Sequence, residues 1–453
     1  SASKPTGARL QMMRIAFALY GKPAGVIIRD GGAMNLSYYP EYLADPAATP
    51  LSLSLPLSTV PHPARPVEAF LRGLLPDHAE VRRRWAEAFG LRDRDTLGLI
   101  AAIGMDCAGG AVFAPEDRIG DVLQQPGSIV SLSEEEIGRH LARLRLDDAA
   151  WHDTDNEHWS LAGGQSKFTL TKTGDSWGKP LGAAPSTHII KPGISRIPAQ
   201  ALVEHVSMRS LALLGEDVAA SEYHEFADEP AIVVKRFDRL TDRTDKPIRL
   251  HSEDLIQSFG LDPERKYETR KGPGVAKITA LLRQRTDEVS MVRFVRAVIA
   301  NYLLGAPDAH AKNYSVLLVG RQVTLAPLYD VASGFIADPV TNTLRYPRNA
   351  MSIGGETRFG EVGSKQWSKF AATTGLTNEE VLMTVNEIAT RLPDALNDAI
   401  KELPEKSFGI KILKNELLPR IDLHTKHALT FLNSLEASST LGAVRRGAFF
   451  DSL

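Results

Sequence analysis

Two kinds of apolar spacing run along the chain and divide it into parts with different predicted structure. In the first hundred or so residues, short apolar runs are separated by turn signals, which is typical of β-strands. A Gly-Lys-Pro turn is predicted to join RIAFALYG to GVIIRD, and Asp30-Gly31-Gly32 is a hairpin signal. The strict alternation of LSLSLPL predicts a half-buried strand, and leucines and alanines at helical spacing predict a helix from about Val67 to Phe89.

The middle of the chain is predicted to hold a second, smaller β unit. It opens on SLSEEEIGRHLARLRL, a helix in which Ser133 and Glu136 form a capping-box pattern. The stretch WSLAGGQSKFTLTKTGDSW then predicts strand, glycine turn and strand, and THIIKPG predicts a strand that ends in a lysine. A helix at about 198–215 and a β-hairpin in EYHEFADEPAIVVKRFDRL complete this unit.

The remainder of the chain is predicted to be mostly helical. Apolar residues recur at helical spacing in VSMVRFVRAVIANYLLGAP and at 377–392 and 394–403, whereas 262–274 and 338–350 are typical of loops. The predicted fold class is therefore α+β, with a β-rich N-terminal domain (1–125), a small β lobe (126–240) and a larger helical lobe (241–453).

Composition and charge narrow the class of protein without naming a chemistry. At 453 residues the chain is too long for a single core, and 43% hydrophobic with 24% charged residues is ordinary for a soluble globular protein. A net charge of −2 gives no overall drive toward nucleic acid or an anionic membrane. The basic run VRRRW at 81–85 could be a contact surface, but a solvated helix face explains it better.

Cysteine usage and the apolar stretches predict a protein of the reducing cytoplasm. Cys107 is the single cysteine, so neither an intrachain disulfide nor a cysteine-based zinc site can form. The longest apolar stretch, TLGLIAAIGMDCAGGAVF, carries Asp106, which argues against a membrane span. Arg14 interrupts the apolar part of the N-terminal segment and no small-residue cleavage site follows, so no signal peptide is predicted.

The stretch GAPDAHAKNYSVLL carries the first candidate chemistry. Asp308 and Asn313 have the spacing with which protein kinases place a catalytic base beside a metal ligand, although no His-Arg precedes the aspartate. After Asn313, YSVLLV and QVTLAP predict a hairpin around Gly320-Arg321, which returns Asp330 to the neighbourhood of Asn313. Two carboxylates and an amide suit phosphoryl transfer, which needs oxygen ligands for Mg²⁺ and a separate carboxylate that accepts the proton of the attacking hydroxyl. A polar turn with capping aspartates also explains this stretch.

Two upstream segments supply the other parts that phosphoryl transfer needs. The segment 162–167, AGGQSK, lies between two predicted strands, and its glycines would let backbone N–H groups approach phosphate, although it lacks the Walker spacing. Lys191 ends an apolar strand, and Glu204 on the next predicted helix is its natural partner, as in kinases. Lys312 could offset charge on the transferred group. A plain glycine hairpin and a solvated strand end explain these pieces one by one, but not their order along the chain.

The whole chain resembles the HipA family, the serine/threonine kinase toxins of HipBA-type toxin–antitoxin modules. The resemblance rests on PLSLSLPLS, LLPDHAEVRRRW and IGMDCAGGAV near the N-terminus, and on SLAGGQSKFTL, THIIKP, VVKRFDR, EDLIQSFGL, DAHAKNYS and LYDVAS further on. It implies a bilobal protein-kinase-like fold that uses ATP and Mg²⁺, with Asp308 as catalytic base and Asn313 and Asp330 as metal ligands. The residues implied to contact the nucleotide are Ala162, Gly163, Gly164, Gln165, Ser166, Lys167, Lys191, Lys235, Arg236, Phe237, His310, Lys312, Asn313, Tyr329 and Asp330.

The resemblance also implies regulation and partners. Ser160 matches the family's autophosphorylated serine, and we predict that phosphate there expels the glycine loop and inactivates the kinase. A hydroxyl hydrogen-bonded within a hairpin is the alternative for Ser160. The expected substrate is an aminoacyl-tRNA synthetase, with glutamyl-tRNA synthetase the best-known type, whose phosphorylation causes growth arrest or persistence. The expected partner is a HipB-like helix-turn-helix antitoxin, and operator DNA is reached through the repressor complex with it.

Two other functions fit parts of the sequence. A small-molecule kinase of the same split-lobe class would share the Asp308 loop, although the N-terminal domain and Ser160 favour the toxin. A catalytically silent, DNA-associated partner of a helix-turn-helix repressor is the second alternative, because QWSKFAATTGLTNEEVLMTVNEIA resembles a helix-turn-helix. An ordinary helix pair with Thr377 and Glu380 as capping box explains that stretch better.

Overall fold

The structure is a computed structural model that describes residues 12–92, 94–152, 157–244 and 246–437. The predictions for the start of the chain, up to residue 11, and for its end after residue 437 lie outside the described residues. Within the described ranges, no helix is long and apolar enough to cross a membrane. Helices and strands are mixed along the chain, so the predicted α+β class is confirmed.

The N-terminal unit is an antiparallel sheet with helices packed against it. Its elements are β1 (Met13–Leu19), β2 (Lys22–Asp30), β3 (Ala33–Tyr38), α1 (Pro40–Leu43), β4 (His62–Pro63), α2 (Ala64–Leu74), α3 (Ala79–Ala88), α4 (Thr96–Ile103), β5 (Asp106–Cys107), β6 (Val112–Pro115) and α5 (Ile119–Gln124). The strand order in the sheet is β4-β3-β2-β1-β6. The turn at Gly31-Gly32 is the predicted one, whereas the first turn, at Tyr20-Gly21, begins one residue earlier than predicted.

The strand predicted from LSLSLPL is wrong. Residues 51–57 make a turn in which Ser52 and Leu55 pair as an isolated bridge. Leu51 and Leu55 are buried in the N-terminal core, and the hydroxyl groups of Ser52 and Ser54 donate to the carbonyl oxygen of Gln257. The alternation of leucine and serine therefore marks a junction with the larger lobe. These two leucines face the N-terminal core, and the two serines are hydrogen-bonded to the larger lobe rather than facing water as on a half-buried strand.

The single helix predicted from Val67 to Phe89 is two helices, α2 and α3. Pro76 is the cause, because a proline drives the residue before it into extended conformation, and Leu75 has ψ of 155°. The break leaves the last carbonyl groups of α2 without partners inside the helix.

The small lobe follows with a second antiparallel sheet. Its elements are β7 (Gly127–Leu132), α6 (Glu134–Leu146), β8 (Trp159–Ser160), β9 (Phe168–Thr173), β10 (Ser176–Gly182), β11 (His188–Lys191), α7 (Gln200–Leu213), β12 (Ser221–Phe226) and β13 (Glu229–Lys235). The strand order is β12-β13-β11-β9-β10-β7. The capping box of Ser133 and Glu136 and the β12–β13 hairpin are present as predicted. Strand β8 lies outside this sheet, because it pairs in parallel with β5 of the N-terminal unit.

The larger lobe is mostly helical. Its elements are β14 (Arg239–Thr241), β15 (Pro247–Arg249), β16 (Ser252–Asp254), α8 (Leu255–Ser258), α9 (Val275–Arg285), α10 (Glu288–Leu304), β17 (Ser315–Val319), β18 (Gln322–Leu325), β19 (Arg348–Ile353), β20 (Glu356–Arg358), α11 (Ser364–Thr374), α12 (Asn378–Lys401), α13 (Ile410–Ile412) and α14 (Leu418–Ala437). Helix α12 replaces the two helices predicted at 377–392 and 394–403, because its buried face continues across Pro393 through Leu392 and Leu396. Thr377 and Glu380 form the predicted capping box, so α11 and α12 are the capped helix pair.

Two large hydrophobic cores, with a third and smaller cluster around Ala16 and Ala114, hold the described parts together. One core joins the N-terminal sheet to the small lobe, and its members include Phe17, Phe113, Phe168 and Val233. The other core runs from α7 through the larger lobe. Polar contacts also tie the N-terminal unit to the larger lobe: the Tyr20 hydroxyl donates to the Leu318 carbonyl at 2.5 Å, and Arg72 pairs with Asp262. The boundaries near residues 125 and 240 stay predictions.

Glu253 is a buried carboxyl group at this junction. Its Oε1 accepts hydrogen bonds from the Leu53 N–H at 2.8 Å and the Ser258 hydroxyl at 3.0 Å, while Oε2 has no hydrogen-bond partner within the described part of the chain. Burial raises the pKa of Glu253 to about 7. The folded protein therefore keeps this proton to a higher pH than the unfolded chain does, and Glu253 stabilises the fold in its neutral form.

We expect the free energy of unfolding to fall as pH rises from the unfolded-chain pKa of 4.5 through about 7, where the folded protein finally loses this proton. Glu253→Gln, which is neutral at every pH, should flatten that part of the profile. Urea denaturation at about pH 5 and about pH 8 measures the slope. Glu222→Gln, at a mostly exposed position on β12, should keep the wild-type slope. An unchanged slope in Glu253→Gln would contradict the assignment.

Candidate active site

One large cavity lies between the small and the larger lobe. Its volume is about 940 Å³, enough for a ligand of nucleotide size. Its wall includes all of the predicted catalytic, metal and nucleotide residues: Ala162, Gly163, Gly164, Gln165, Ser166, Lys167, Lys191, Lys235, Arg236, Phe237, Asp308, His310, Lys312, Asn313, Tyr329 and Asp330. Ser160 is not part of the wall. The fold therefore brings the predicted set together, apart from the predicted modification site.

Helix α10 delivers Asp308 to this cavity. The helix ends at Gly305 in left-handed conformation, φ +68°, where a Cβ would lie 2.6 Å from the ring of Phe335. The Asp308 side chain is 63% exposed, and the Tyr267 hydroxyl donates to its Oδ1 at 2.5 Å. The Asn313 amide nitrogen donates to the Asp308 carbonyl oxygen at 2.8 Å, which leaves the amide oxygen of Asn313 as the acceptor for a ligand.

The hairpin of β17 and β18 returns the chain toward Asn313, as predicted. The Ala326 N–H donates to the Ser315 carbonyl at 2.9 Å, and the Tyr329 hydroxyl lies 2.6 Å from the Ser315 hydroxyl. Asp330 follows in left-handed conformation, φ +53°, which is uncommon for a residue with a Cβ. Such strain is characteristic of functional sites, and here it aims the Asp330 carboxylate at Lys191.

Lys191 is a deeply buried cation of the site, with 2% of its surface exposed. Its ammonium donates to Glu204 at 2.8 Å, the predicted partner, and also to Asp330. Burial acts to lower the pKa of Lys191, but Asp330 and Glu204 outweigh burial, so that the pKa is raised. Burial likewise acts to raise the pKa of Asp330, and Lys191 with Lys167 outweighs it, so that this pKa is lowered. One ammonium thus joins strand β11, helix α7 and the Asp330 turn.

The glycine loop at 162–167 is not the turn of a hairpin. It connects β8, which pairs with the N-terminal unit, to β9, which belongs to the small-lobe sheet. The Lys167 ammonium donates to the Ala162 carbonyl at 2.9 Å and lies over the Trp151 ring, 4.8 Å from its centroid. Burial outweighs the attraction of Asp330 and lowers the pKa of Lys167 to about 8. The loop is therefore closed on itself by its own lysine.

The predicted hinge residues differ in what they offer to a nucleotide. The Arg236 guanidinium is buried and donates to Asp238, to Ser186 and to the Cys107 carbonyl, so its charge is already paired within the protein. Phe237 instead stacks on Tyr329, with the ring centroids 5.3 Å apart. Lys235 ends β13, and its N–H donates to the Ala220 carbonyl.

His310 and Lys312 are buried, although the loop that carries them also holds the exposed Asp308. Burial lowers the pKa of His310 to about 4, so the ring is neutral, and its Nδ1 has no hydrogen-bond partner within the described residues. The Lys312 ammonium donates to Asp254 at 2.8 Å and to the Gly73 carbonyl at 3.1 Å. An unpartnered ring nitrogen fits a ligand in the cavity, whereas Lys312 is already engaged.

The cavity wall suits a nucleotide with a divalent cation. Among the described residues, no cluster of three or more His, Cys, Asp or Glu side chains is placed to hold a metal by itself. Mg²⁺ does not need such a cluster, since it is usually bound by one or two carboxylates with substrate phosphates and water. Asn313 and Asp330 fit that requirement, and Lys191 and Lys167 offer cations for phosphate oxygens.

The wall residues that were missed from the sequence include Asp77, Asp254, Lys266 and Tyr267. Lys266 pairs with Asp77 of the N-terminal unit at 2.9 Å, and the ring of Tyr267 meets His310 edge-on at 4.8 Å. Lys266 and Tyr267 lie in the loop at 262–274, which has no apolar periodicity. Nothing local signals their role, because they reach the site only through tertiary packing.

Ser160 is buried in β8, behind the glycine loop. Its hydroxyl donates to the Leu74 carbonyl of α2 at 2.8 Å, and its backbone pairs with Cys107. The hydroxyl is therefore hydrogen-bonded, but to another domain rather than within the hairpin that the alternative interpretation required.

The two lobes, the cavity between them and the Lys191–Glu204 pair define a protein-kinase-like phosphotransferase with an added N-terminal domain. Two family models match the chain: "HipA N-terminal domain" over residues 15–114 and "HipA-like C-terminal domain" over residues 159–396. The chain belongs to the HipA family and is a kinase.

Relatives from two bacteria cover most of the chain. "Putative kinase Y4mE" of Sinorhizobium fredii is 32% identical over 402 residues, 86% of this chain and 92% of that protein. "Serine/threonine-protein kinase toxin HipA" of Shewanella oneidensis is 27% identical over 391 residues, 82% of this chain and 87% of that protein. A solved complex of Shewanella oneidensis HipA with HipB and operator DNA has a TM-score of 0.81 at 23% identity, covering 93% of this chain and 99% of that one. That likeness supports the fold.

Proposed function

We propose that this kinase transfers the γ-phosphoryl group of ATP to a protein serine or threonine, with Mg²⁺ as cofactor. The observation that carries the proposal is the convergence of Asp308, Asn313 and Asp330 with the Lys191–Glu204 ion pair on one cavity wall. These groups correspond to the base, the oxygen ligands and the phosphate-binding ammonium that phosphoryl transfer requires.

In this proposal Asp308 accepts the proton of the attacking hydroxyl. The hydroxyl oxygen bonds to the γ-phosphorus, the bond from that phosphorus to the bridging oxygen of the β-phosphate breaks, and ADP leaves. Tyr267 holds the Asp308 carboxylate through Oδ1. Asn313 and Asp330 would hold Mg²⁺, which when bound offsets charge on the phosphates. Lys191, oriented by Glu204, binds phosphate oxygens.

We further propose a role as the toxin of a toxin–antitoxin module. The Shewanella oneidensis relative is named as a kinase toxin, and the structural neighbour was solved with HipB and operator DNA. A HipB-like helix-turn-helix antitoxin is the proposed partner, and operator DNA is reached through it. The proposed substrate is an aminoacyl-tRNA synthetase of the glutamyl type, whose phosphorylation blocks translation and leads to growth arrest or persistence in the cytoplasm.

Ser160 is the proposed site of autophosphorylation, and its burial explains why phosphate there would inactivate the kinase. The hydroxyl donates to the Leu74 carbonyl, a bond that a phosphorylated oxygen cannot make. A phosphate would also bring about −1.5 to −2 charges into a buried position against a carbonyl oxygen. The segment around Ser160 must therefore leave its place beside β5, and the glycine loop that follows it would leave with it.

Intact-mass measurement with ATP and Mg²⁺ tests the kinase activity and the modification site together. Wild-type protein should gain about 80 Da per phosphate, and Ser160→Ala should gain none. Ser176→Ala, at the exposed first residue of β10, is the matched control and should gain the same mass as wild type. A Ser160→Ala protein that still gains this mass would place the modification elsewhere.

Radiolabelled ATP tests the substrate class. Label should move to purified glutamyl-tRNA synthetase in the presence of wild-type protein. Label that moves to small molecules, and to no protein, would support the small-molecule kinase instead.

A further inference from the structure

The turn between α2 and α3 reaches from the N-terminal domain into the kinase cavity. We call residues 73–77 the clamp segment. Pro76 ends α2, so the last carbonyl groups of this helix have no hydrogen-bond partner inside it. Two of them are used by the kinase lobes: Gly73 accepts a hydrogen bond from the Lys312 ammonium at 3.1 Å, and Leu74 accepts one from the Ser160 hydroxyl at 2.8 Å.

The clamp segment also holds the glycine loop through the main chain. Pro76 and Gly163 pair as a parallel bridge, and the Asp77 N–H donates to the Gly163 carbonyl at 2.9 Å. Gly163 has φ of +99°, and a Cβ there would lie 2.8 Å from the Lys167 ammonium. The positive φ favours glycine at this point, so the clamp segment contacts the loop at a backbone position that other residues adopt only with strain.

The Asp77 side chain extends the contact to the proposed base. Its Oδ2 accepts a hydrogen bond from the Lys266 ammonium at 2.9 Å. The next residue, Tyr267, donates its hydroxyl to Asp308 Oδ1 at 2.5 Å. Burial acts to raise the pKa of Asp77, but Lys312 and Lys266 outweigh burial and the pKa is lowered. Asp77 is therefore a carboxylate, joined to Asp308 through two consecutive residues.

We propose that Asp77 is a positioning residue of the phosphoryl transfer, and that the clamp segment sets the catalytic loop relative to the glycine loop. The inference rests on the proposed function. Asp77 acts through Lys266 and Tyr267 on the orientation of Asp308, while its main chain fixes Gly163. Removing the carboxylate frees Lys266, so Tyr267 and Asp308 sample other orientations. The N-terminal domain is then a part of the reaction centre.

Steady-state kinetics of Asp77→Asn in the full chain test the proposal. Misplacing a reacting group lowers the rate of the chemical step much more than it lowers the affinity for substrate. The kcat should therefore fall about 10- to 100-fold. The KM for ATP should change by less than about threefold, since the main-chain bond from residue 77 to Gly163 is kept. Arg72→Gln is the matched control: it breaks the ion pair between α2, the helix that leads into the clamp segment, and Asp262 of the loop that also holds Lys266, away from the cavity wall. Its kcat should stay within about twofold of wild type.

Two further measurements separate positioning from a general loss of structure. In a double-mutant cycle, Lys266→Gln combined with Asp77→Asn should lose little more activity than Asp77→Asn alone, because both changes break one pathway. In nucleotide-free protein, hydrogen–deuterium exchange at 305–314 should rise in Asp77→Asn and not in Arg72→Gln, with α12 as an unchanged internal reference.

Three outcomes would overturn the proposal: wild-type kcat in Asp77→Asn, equal losses in Asp77→Asn and Arg72→Gln, or unchanged exchange at 305–314. If wild-type protein transfers no phosphate at all, the proposed function fails. The exchange difference between the two variants still decides whether the clamp orders the catalytic loop.

Discussion

Asp308→Asn should abolish nearly all phosphoryl transfer and leave nucleotide binding intact. The substitution keeps the shape of the side chain but removes the proton acceptor, and a general base contributes about 10²- to 10⁴-fold to the rate. We therefore expect kcat to fall by that factor. The proposed metal ligand Asn313 should stay in place, because its amide nitrogen donates to the main-chain carbonyl of residue 308 and not to the side chain. Radiolabel transfer gives kcat, and titration with a fluorescent nucleotide gives the affinity.

Asp148→Asn is the control for charge. Asp148 lines the same cavity, its side chain is mostly exposed, and its described ionic contact is with His78 at 3.3 Å. We expect this variant to keep the wild-type rate. A rate above about a tenth of wild type in Asp308→Asn would mean that another group accepts the proton. An equal loss in Asp148→Asn would assign the effect to the charge of the cavity.

Lys191→Met should cost both activity and stability. The ammonium lies between the buried carboxylate of Glu204 and the partly exposed carboxylate of Asp330, and methionine leaves both without this ammonium. Breaking a buried ion pair costs about 3 to 5 kcal/mol, so the free energy of unfolding in urea should fall by a large part of that amount. Loss of a cation that stabilises transferring phosphate should lower kcat by about 10²- to 10³-fold.

Introducing Glu204→Gln into the Lys191→Met protein separates the effect on stability from the effect on activity. It removes one of the stranded carboxylates, so it should restore part of the stability, but it cannot restore a cation for phosphate. Lys172→Met on the neighbouring strand β9 is the control, because Lys172 is more exposed and lies 3.9 Å from its partner Glu222. Activity that returns together with stability in the double variant would show that Lys191 matters for folding alone.

The parts of the site that could be predicted are those held together by neighbouring elements. Asn313 and Asp330 flank one hairpin, and turn chemistry at Gly320-Arg321 is enough to predict that the chain returns. Lys191 and Glu204 lie on a strand and the helix that follows it, and their ion pair is present at 2.8 Å. Periodicity and turn signals act over such short distances, so they are sufficient there.

The parts that could not be predicted depend on pairing between distant segments. The letters around Ser160 favour a glycine hairpin, but β8 pairs with β5 of the N-terminal unit, and no local pattern encodes that choice. Tyr267 lies in a loop without periodicity and meets Asp308 only in the folded protein. The serines of LSLSLPL mimic a solvent-facing strand, because a polar domain junction produces the same alternation.

The core shared by the N-terminal sheet and the small lobe has a consequence for how the chain folds during synthesis. Phe17 and Phe113 pack in one cluster with Phe168 and Val233, which leave the ribosome much later. Helices α2 and α4 pack on the N-terminal sheet, but the part of its core that meets β9 and β13 stays uncovered until those strands have been made. Such exposed faces are the usual origin of aggregation in multidomain chains. This part of the nascent N-terminal unit is then a natural client for a chaperone until about half of the chain, through the end of β13, has been synthesised.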